Sequence, residues 1–272
     1  MEFLLPAVIA LGGMGIISAV ILYFVSRKFE VEEDPRIAEV YALLPAANCG
    51  GCGYPGCSGF AAACVRASSL DGLLCPVGGT ETMNRIAAIL EQGAVVCEPM
   101  IAVVRCNGNC EKRAQTNVYD GAESCAVASA LYGGETACTY GCSGLGDCVT
   151  VCQFAAIRIN PETQLPEVDE TKCTACGACV KACPKQLIQL RKKGPGSRRI
   201  YVACRNRDKG AVARKACGVA CIGCSKCQKI CEFEAIIMAD NLAFIDDGQC
   251  TLCGKCASEC PTSAIVEHLK TK

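Results

Sequence analysis

The chain opens on an unbroken apolar run. Residues 3–25, FLLPAVIALGGMGIISAVILYFV, carry no charge. As a helix they would extend about 34 Å, at about 1.5 Å per residue, against a hydrocarbon core of about 30 Å. The run predicts one membrane-spanning helix, surrounded by lipid. A cleavable leader would place basic residues before the run and small residues after it; here Glu2 precedes it and Arg27 and Lys28 follow. That charge bias predicts an outer N-terminus and a cytoplasmic remainder, with Tyr23 and Phe24 at the level of an aromatic belt. Gly12, Gly13 and Gly15 give the helix a small face on which another membrane helix could pack.

After the run the periodicities become short. Asp34 before Pro35 reads as an N-cap with proline in the first turn, and Pro45 should stop that helix. TETMNRIAAILEQ, 80–92, places Met83, Ile86 and Leu90 on one helical face. AVVRC, ending at Cys106, and YVAC, ending at Cys204, read as β-strands. Beyond residue 100 the pattern repeats: CQFAAI…KCTACGACVKACPKQLI, 152–188, aligns with CEFEAI…QCTLCGKCASECPTSAI, 231–265.

Composition changes the picture. Among 272 residues there are 27 Cys, 1 His and no Trp, and aromatic residues make up 5%. A single large aromatic-rich core is excluded, so something other than apolar packing organises the chain. Disulfides are disfavoured by an odd cysteine total and by fixed two- and three-residue gaps, and the thiols imply a reducing compartment. Zinc sites favour paired CxxC units or Cys with His. CxxCxxCxxxCP matches instead the iron–sulfur run of bacterial ferredoxins, in which the fourth Cys of each run ligates the other cluster.

That rule assigns five ligand sets. One cube takes Cys221, Cys224, Cys227 and Cys260, and its neighbour Cys250, Cys253, Cys256 and Cys231. The earlier unit gives Cys173, Cys176, Cys179 and Cys152, with Cys138, Cys142, Cys148 and Cys183 on the remaining cube. This last set departs from the pattern, being spaced C-x3-C-x5-C-x3-C. A separate N-terminal set, in NCGGCGYPGC and CPVGG, is Cys49, Cys52, Cys57 and Cys75, where glycines let the backbone wrap closely and aim N–H groups at sulfur. About five 4Fe-4S clusters per chain are therefore expected. Cys64, Cys97, Cys106, Cys110, Cys125, Cys204 and Cys217 are left over. They read as small buried hydrophobes, with Cys97, Cys106, Cys110 and Cys125 as an alternative further set.

The fold expected is α+β: a transmembrane anchor at 1–26, a juxtamembrane linker at 27–45 and a small 4Fe-4S domain at 46–95. A first two-cluster ferredoxin module follows at 96–190, then a basic connector with a second two-cluster module at 191–272. The formal net charge is zero. The stretch 191–215 nonetheless holds ten Lys or Arg and one acid, Asp208. It reads either as a linker offsetting cluster charge or as a docking surface for an acidic protein. With no interleaved aromatic platform, nucleic acid is not an expected partner. His268 has no expected role.

The order of these parts resembles a known family. A spanning helix, SRKFEVEEDPRI, NCGGCGYPGC…CPVGG and then ferredoxin motifs look like the B subunit of the Rnf complex, an ion-translocating ferredoxin:NAD oxidoreductase of bacterial membranes. The resemblance covers nearly the whole chain. It implies a single-pass protein of the bacterial cell membrane, facing the cytoplasm, that takes electrons from reduced ferredoxin and relays them to the other membrane and peripheral subunits of a translocase. Flavin and NAD sites would lie on those partners; no GxGxxG follows a strand and opens a helix here, and the chain offers no catalytic acid, base or nucleophile. The CGGCGYPGC element is also similar to iron–sulfur domains of corrinoid and acetyl-CoA pathway proteins. The alternatives are an electron-transfer component of a dehydrogenase, hydrogenase or corrinoid enzyme, or of a system that reduces a redox-sensing transcription factor.

Overall fold

The structure is a computed structural model that describes residues 4–28, 34–93 and 96–268. The apolar run forms α1 (Leu4–Lys28), with Arg27 and Lys28 in its last turn. The large side chains from Leu11 to Val25 are uncovered by the rest of the chain. Among the described residues α1 is the one helix long and apolar enough to cross a membrane. At its end the Arg27 guanidinium lies 5.9 Å over the Tyr23 ring, tying the basic terminus to the aromatic belt position.

Three helices then build a small core. They are α2 (Pro35–Leu43), α3 (Gly56–Arg66) and α4 (Gly79–Ile89). The Asp34 carboxylate accepts the Arg36 N–H at 2.9 Å, which satisfies one otherwise orphaned donor at the start of α2. Leu44, before Pro45, is extended and ends the helix, as proline's clash with the preceding residue requires. Val40, Phe60, Ala61, Met83 and Ile86 meet with almost no exposure. Leu90 lies just past the end of α4, packed at the edge of this core.

The remainder consists of two units with one element order. The first runs β1 (Met100–Val104), α5 (Cys125–Tyr132), α6 (Asp147–Thr150), β2 (Ile157–Ile159), β3 (Pro166–Val168), α7 (Ala178–Ala182) and β4 (Ile188–Lys192). The second runs β5 (Arg199–Val202), α8 (Gly210–Ala216), α9 (Lys226–Ile230), β6 (Ile236–Ala239), β7 (Leu242–Ile245), α10 (Lys255–Ser258) and β8 (Ile265–His268). In each unit the first and last strands pair antiparallel, Met100 opposite Lys192 and Arg199 opposite His268, while the middle strands form a hairpin. All four sheets are two-stranded. Such ribbons are marginal alone, so each unit depends on what its strands and short helices enclose.

The units are tied together along one seam. Arg105, just past β1, donates from Nε to the Val202 carbonyl at 3.3 Å and from its terminal nitrogen to that of Cys204 at 3.4 Å. The Asn107 N–H donates to the Ala203 carbonyl at 3.1 Å, and the Gly218 N–H to the Lys112 carbonyl at 2.9 Å. Arg199, largely buried, pairs with Glu170 of the first unit at 2.7 Å.

Candidate iron–sulfur sites

One loop geometry occurs four times. After Cys173, Cys221 and Cys250 the second residue is left-handed (Ala175, Gly223, Leu252), and so is the fourth (Gly177, Ser225, Gly254). The sixth residue is the third cysteine of the run (Cys179, Cys227, Cys256), carried on α7, α9 and α10. The alternation curls the chain so that successive N–H groups and side chains turn toward one centre. The fourth cysteine of each run makes a second recurrent turn. Three residues after Cys152, Cys183, Cys231 and Cys260 the chain is left-handed again, at Ala155, Gln186, Glu234 and Ser263. This turn aims the next N–H at sulfur: Ala156, Leu187 and Ala264 each donate to the thiol four residues back at 3.3 Å.

The fourth copy of the loop begins at a different cysteine from the set read from the sequence, which started at Cys138. Its left-handed residues are Gly144 and Gly146, and its third cysteine is Cys148. The run therefore starts at Cys142, not Cys138, and Leu145 stands where the other copies have Cys176, Cys224 and Cys253. A thiol arrives there from another element. The Asp147 carboxylate accepts the N–H of Cys125 at 2.8 Å and that of Ala126 at 3.0 Å, fixing the start of α5 beside α6. The thiols that bear on Cys148 are, strongest first, Cys142, Cys125, Cys183 and Cys179. Cys138 lies instead in a cavity with Cys106, Cys204 and Cys217. A signal for this exists in the sequence: first and third cysteines are six apart in all four runs, counted from Cys142.

The thiols gather around cavities. Cys152, Cys173, Cys176 and Cys179 line one; Cys221, Cys224, Cys227 and Cys260 line a second; Cys231, Cys250, Cys253 and Cys256 line a third. All 27 cysteines are free. Among the described residues no three Cys, His, Asp or Glu side chains could hold a single metal ion. Burial pushes the thiols up, to about 12 at Cys142, Cys148 and Cys256 and to about 11 at Cys179 and Cys227, with neighbouring thiols adding to the effect. Cys260 goes the other way: burial raises it, but N–H groups of Thr262, Ala264 and Ile265 together outweigh that. Thiols held neutral by dryness ionise when a cationic core takes the place of their protons. Four such thiols around one cavity, with N–H groups already aimed at sulfur, fit a 4Fe-4S cube.

At the N-terminal site Cys52 and Cys57 pack on the helical core beside Cys75, with Cys49 on the same loop. The Cys75 thiol accepts the Gly78 N–H at 3.3 Å, and Asn48 Oδ1 accepts the Cys57 N–H at 2.8 Å. Gly51 lies against the neighbouring unit. A Cβ there would come within 2.6 Å of the Cys176 carbonyl oxygen. This backbone contact sets the N-terminal loop on the loop of the Cys152, Cys173, Cys176 and Cys179 site.

The other leftover cysteines scatter. Cys64 is buried in the helical core and Cys97 packs at its edge, its N–H donating to Thr80 Oγ1 at 3.2 Å. Cys110 is exposed and donates to the Glu162 carbonyl at 3.3 Å. The alternative set of Cys97, Cys106, Cys110 and Cys125 is thus not brought together.

Family comparisons identify iron–sulfur domains in three stretches of the chain. Residues 44–72 match the family described as a putative Fe-S cluster, residues 166–189 a 4Fe-4S binding domain, and residues 220–265 a 4Fe-4S dicluster domain. Over 256 residues the chain is 43% identical to the B subunit of the Na(+)-translocating ferredoxin:NAD(+) oxidoreductase complex of Acetobacterium woodii, covering 94% of this chain and 75% of that one. It is 40% identical to the B subunit of the ion-translocating oxidoreductase complex of Methanosarcina acetivorans, covering 96% and 97% of the two chains. The chain belongs to the B-subunit family of ion-translocating oxidoreductase complexes. A third family member, the B subunit of the proton-translocating ferredoxin:NAD(+) oxidoreductase complex of Clostridium ljungdahlii, is 38% identical over 93% of this chain and 88% of its own. The cofactors of this B-subunit chain are 4Fe-4S clusters, held by its iron–sulfur domains.

The Gly51 contact can be tested sterically. Gly51→Ala should displace backbone, because its obstacle is the Cys176 main chain, and should cost about 1–3 kcal/mol in anaerobic urea unfolding. Gly93→Ala, which faces open space, should be neutral. Equal midpoints for the two variants would show that the contact contributes nothing.

Proposed function

We propose that the chain is the membrane-anchored electron relay of an ion-translocating ferredoxin:NAD oxidoreductase. Electrons enter from reduced ferredoxin through the two repeated units and leave through the N-terminal site toward partner subunits. The observation that carries this reading is the seating of Gly51 on Cys176, which makes the N-terminal site continuous with the repeated units. A 4Fe-4S cube held by four thiolates takes up and returns one electron. The residues proposed to hold five of them are Cys49, Cys52, Cys57 and Cys75; Cys125, Cys142, Cys148 and Cys183; Cys152, Cys173, Cys176 and Cys179; Cys221, Cys224, Cys227 and Cys260; and Cys231, Cys250, Cys253 and Cys256. The protein's own work is to fix these thiols, exclude water and direct N–H groups at sulfur, which sets the potentials. The domain boundaries follow the same division: an anchor, a small helical 4Fe-4S domain and two two-cluster ferredoxin-like modules.

The donor surface is narrower than the basic stretch suggests. Arg191 and Arg199 are buried, and Arg199 is paired with Glu170. Of the stretch's other cations Arg205 and Arg207 line, with Arg105 and Lys181, a groove of about 640 Å³ between the units. Asp240 is the acid in it, 3.3 Å from Arg207. The groove supports docking of an acidic ferredoxin by charge complementarity.

Sidedness follows from Arg27 and Lys28 at the end of α1, by the bias of basic residues toward the cytoplasm. Protease applied to sealed cells should leave everything after residue 28 intact. Cuts within the repeated units would reverse the orientation.

The route is tested in the assembled complex. Cys49→Ser with Cys52→Ser should remove one cube. Added reduced ferredoxin should still bleach the remaining clusters, while NAD reduction stops. Normal NAD reduction with that cube verifiably absent would overturn the exit. In the same assay, Arg205→Glu with Arg207→Glu should slow ferredoxin-dependent reduction at low salt and leave reduction by a small neutral donor unchanged. An unchanged ferredoxin rate would remove the groove from the docking surface.

A further inference from the structure

We propose that Cys106, Cys138, Cys204 and Cys217 hold a sixth 4Fe-4S cube at the seam between the two units. The inference rests on the reading of the chain as an iron–sulfur relay and extends it to a site that the CxxCxxCxxxCP rule does not reach.

The four thiols line one cavity together with Asn107, Gly108, Arg113 and Asn206. The space it encloses, about 290 Å³, is somewhat smaller than the 340–370 Å³ of the cavities lined by the three complete cysteine sets. The ligands come in matched pairs from equivalent places in the two units. Cys106 lies two residues past the end of β1, and Cys204 two past the end of β5. Cys138 lies four residues before Cys142, which opens the first loop of its unit, and Cys217 four before Cys221, which opens the corresponding loop. Each unit thus contributes the same two positions to one shared centre. Backbone bonds hold the halves in register: Asn107 to Ala203, and Gly218 to Lys112.

The lining suits an anion that bears sulfur. Asn206 is fully buried, and its Nδ2 donates to the Cys138 thiol at 3.5 Å. The Cys204 thiol accepts the N–H groups of Asn206 at 3.4 Å and Cys221 at 3.3 Å. Gly108 leaves room for Cys217, whose Sγ would lie 2.8 Å from any Cβ there.

Cations are buried here too. Arg105 and Arg113 are each 7% exposed. Lys185 Nζ donates to the Gly133 and Gly141 carbonyls. The charged groups that bear most on Lys185 include the thiols of Cys142, Cys138 and Cys106, and those on Arg105 include the Cys204 thiol. Buried cations are costly unless an anion offsets them. A cube with four thiolates carries about two negative charges when oxidised, and at this position it offsets them.

The site would also close a gap in the relay. Cys204 accepts a hydrogen bond directly from Cys221, a ligand of the next set. On the other side one turn, closed by the Gly141 N–H on the Cys138 carbonyl at 3.0 Å, separates Cys138 from Cys142. Each passage moves one electron from the neighbouring set to this one and on to the next, with no bond made and no proton moved.

The test is iron and acid-labile sulfide in the full chain, purified without oxygen. Cys106→Ser and Cys204→Ser should each lower the content by about four irons from a total of about 24, at four per cube. Cys125→Ser should lose about four as well, and that variant judges the five-set reading. Cys64→Ser should lose none. Asn206→Asp keeps the acceptor used by the Asp208 N–H and removes the donor to Cys138. It should shift one cluster's signal in an EPR-monitored redox titration to lower potential and leave the rest in place. Iron near 20 that neither Cys106→Ser nor Cys204→Ser changes, or zinc at this position, overturns the sixth site while leaving the other five standing. Should the serine variants lose more than one cube through misfolding, an Asn206→Asp titration identical to that of the unmodified chain overturns it.

Discussion

Everything in the soluble part depends on keeping sets of thiols dry and close together. Left as thiols, such sets are poor cores. Sulfur packs well, but two-stranded ribbons with three- to five-residue strands enclose too little apolar area to fold on that account. A cationic core changes the balance, since binding energy at deprotonated ligands becomes folding energy. The raised thiols and the N–H groups aimed at sulfur are two sides of this. Burial keeps water and protons away from the occupied site, and the N–H groups replace the hydration that the thiolates lose. The weak strands are then sufficient, because they have only to hold loops at the right curvature.

That curvature explains which sites are legible in the sequence and which are not. The three loops with complete CxxCxxC runs are legible, since a thiol every third residue has few other uses. The long apolar helix, the N-cap at Asp34 and the stop before Pro45 are legible for equally local reasons: charge-free length, a carboxylate on an N–H, and a proline clash. Cys138 falls with Cys142 and Cys148 only when adjacency in sequence stands in for adjacency in space. The backbone repeat, left-handed at the second and fourth positions, shows that the loop begins at Cys142. The thiol proposed for the empty position is that of Cys125, more than a loop away, brought near by an Asp147 clamp that no spacing rule anticipates. The seam is illegible for the same reason. Cys106 and Cys204 follow strands of different units, and only the tertiary pairing of those units brings them together.

The basic stretch shows a similar division. As sequence it is ten cations in 25 residues, a uniform surface. In the fold Arg191 lies inside, 5.4 Å from the Phe244 ring centroid and 3.7 Å from Asp247, and Arg199 joins the units through Glu170. A linker role and a docking role are therefore present in one segment. Part of it stabilises the joint between units, and part of it, Arg205 and Arg207, borders the groove where a partner's charge could act. Charge count alone cannot separate these roles, because burial decides which cations reach solvent.

The contacts between sets define an order. Gly51 rests on Cys176; Cys179 bears on Cys148 across the first unit; Cys138 turns into Cys142; Cys204 meets Cys221; Cys227 bears on Cys256. With the proposed cubes in place these contacts would give a single file, with Cys49, Cys52, Cys57 and Cys75 at one end and Cys231, Cys250, Cys253 and Cys256 at the other. A branched arrangement would let an electron idle on side sites. In such a file an electron entering at the groove and leaving at the N-terminal set would pass the sets of the first unit. The seam would join the two halves of the file, its sides held in register by Arg105, Asn107 and Gly218. Covalent continuity of the chain cannot substitute for it: residues 191–198 join the units by a path that carries no thiol. Under the proposed seam site the contacts that join the two units would also couple their sites electronically, and a partner docking in the groove beside Arg105 would act on both at once.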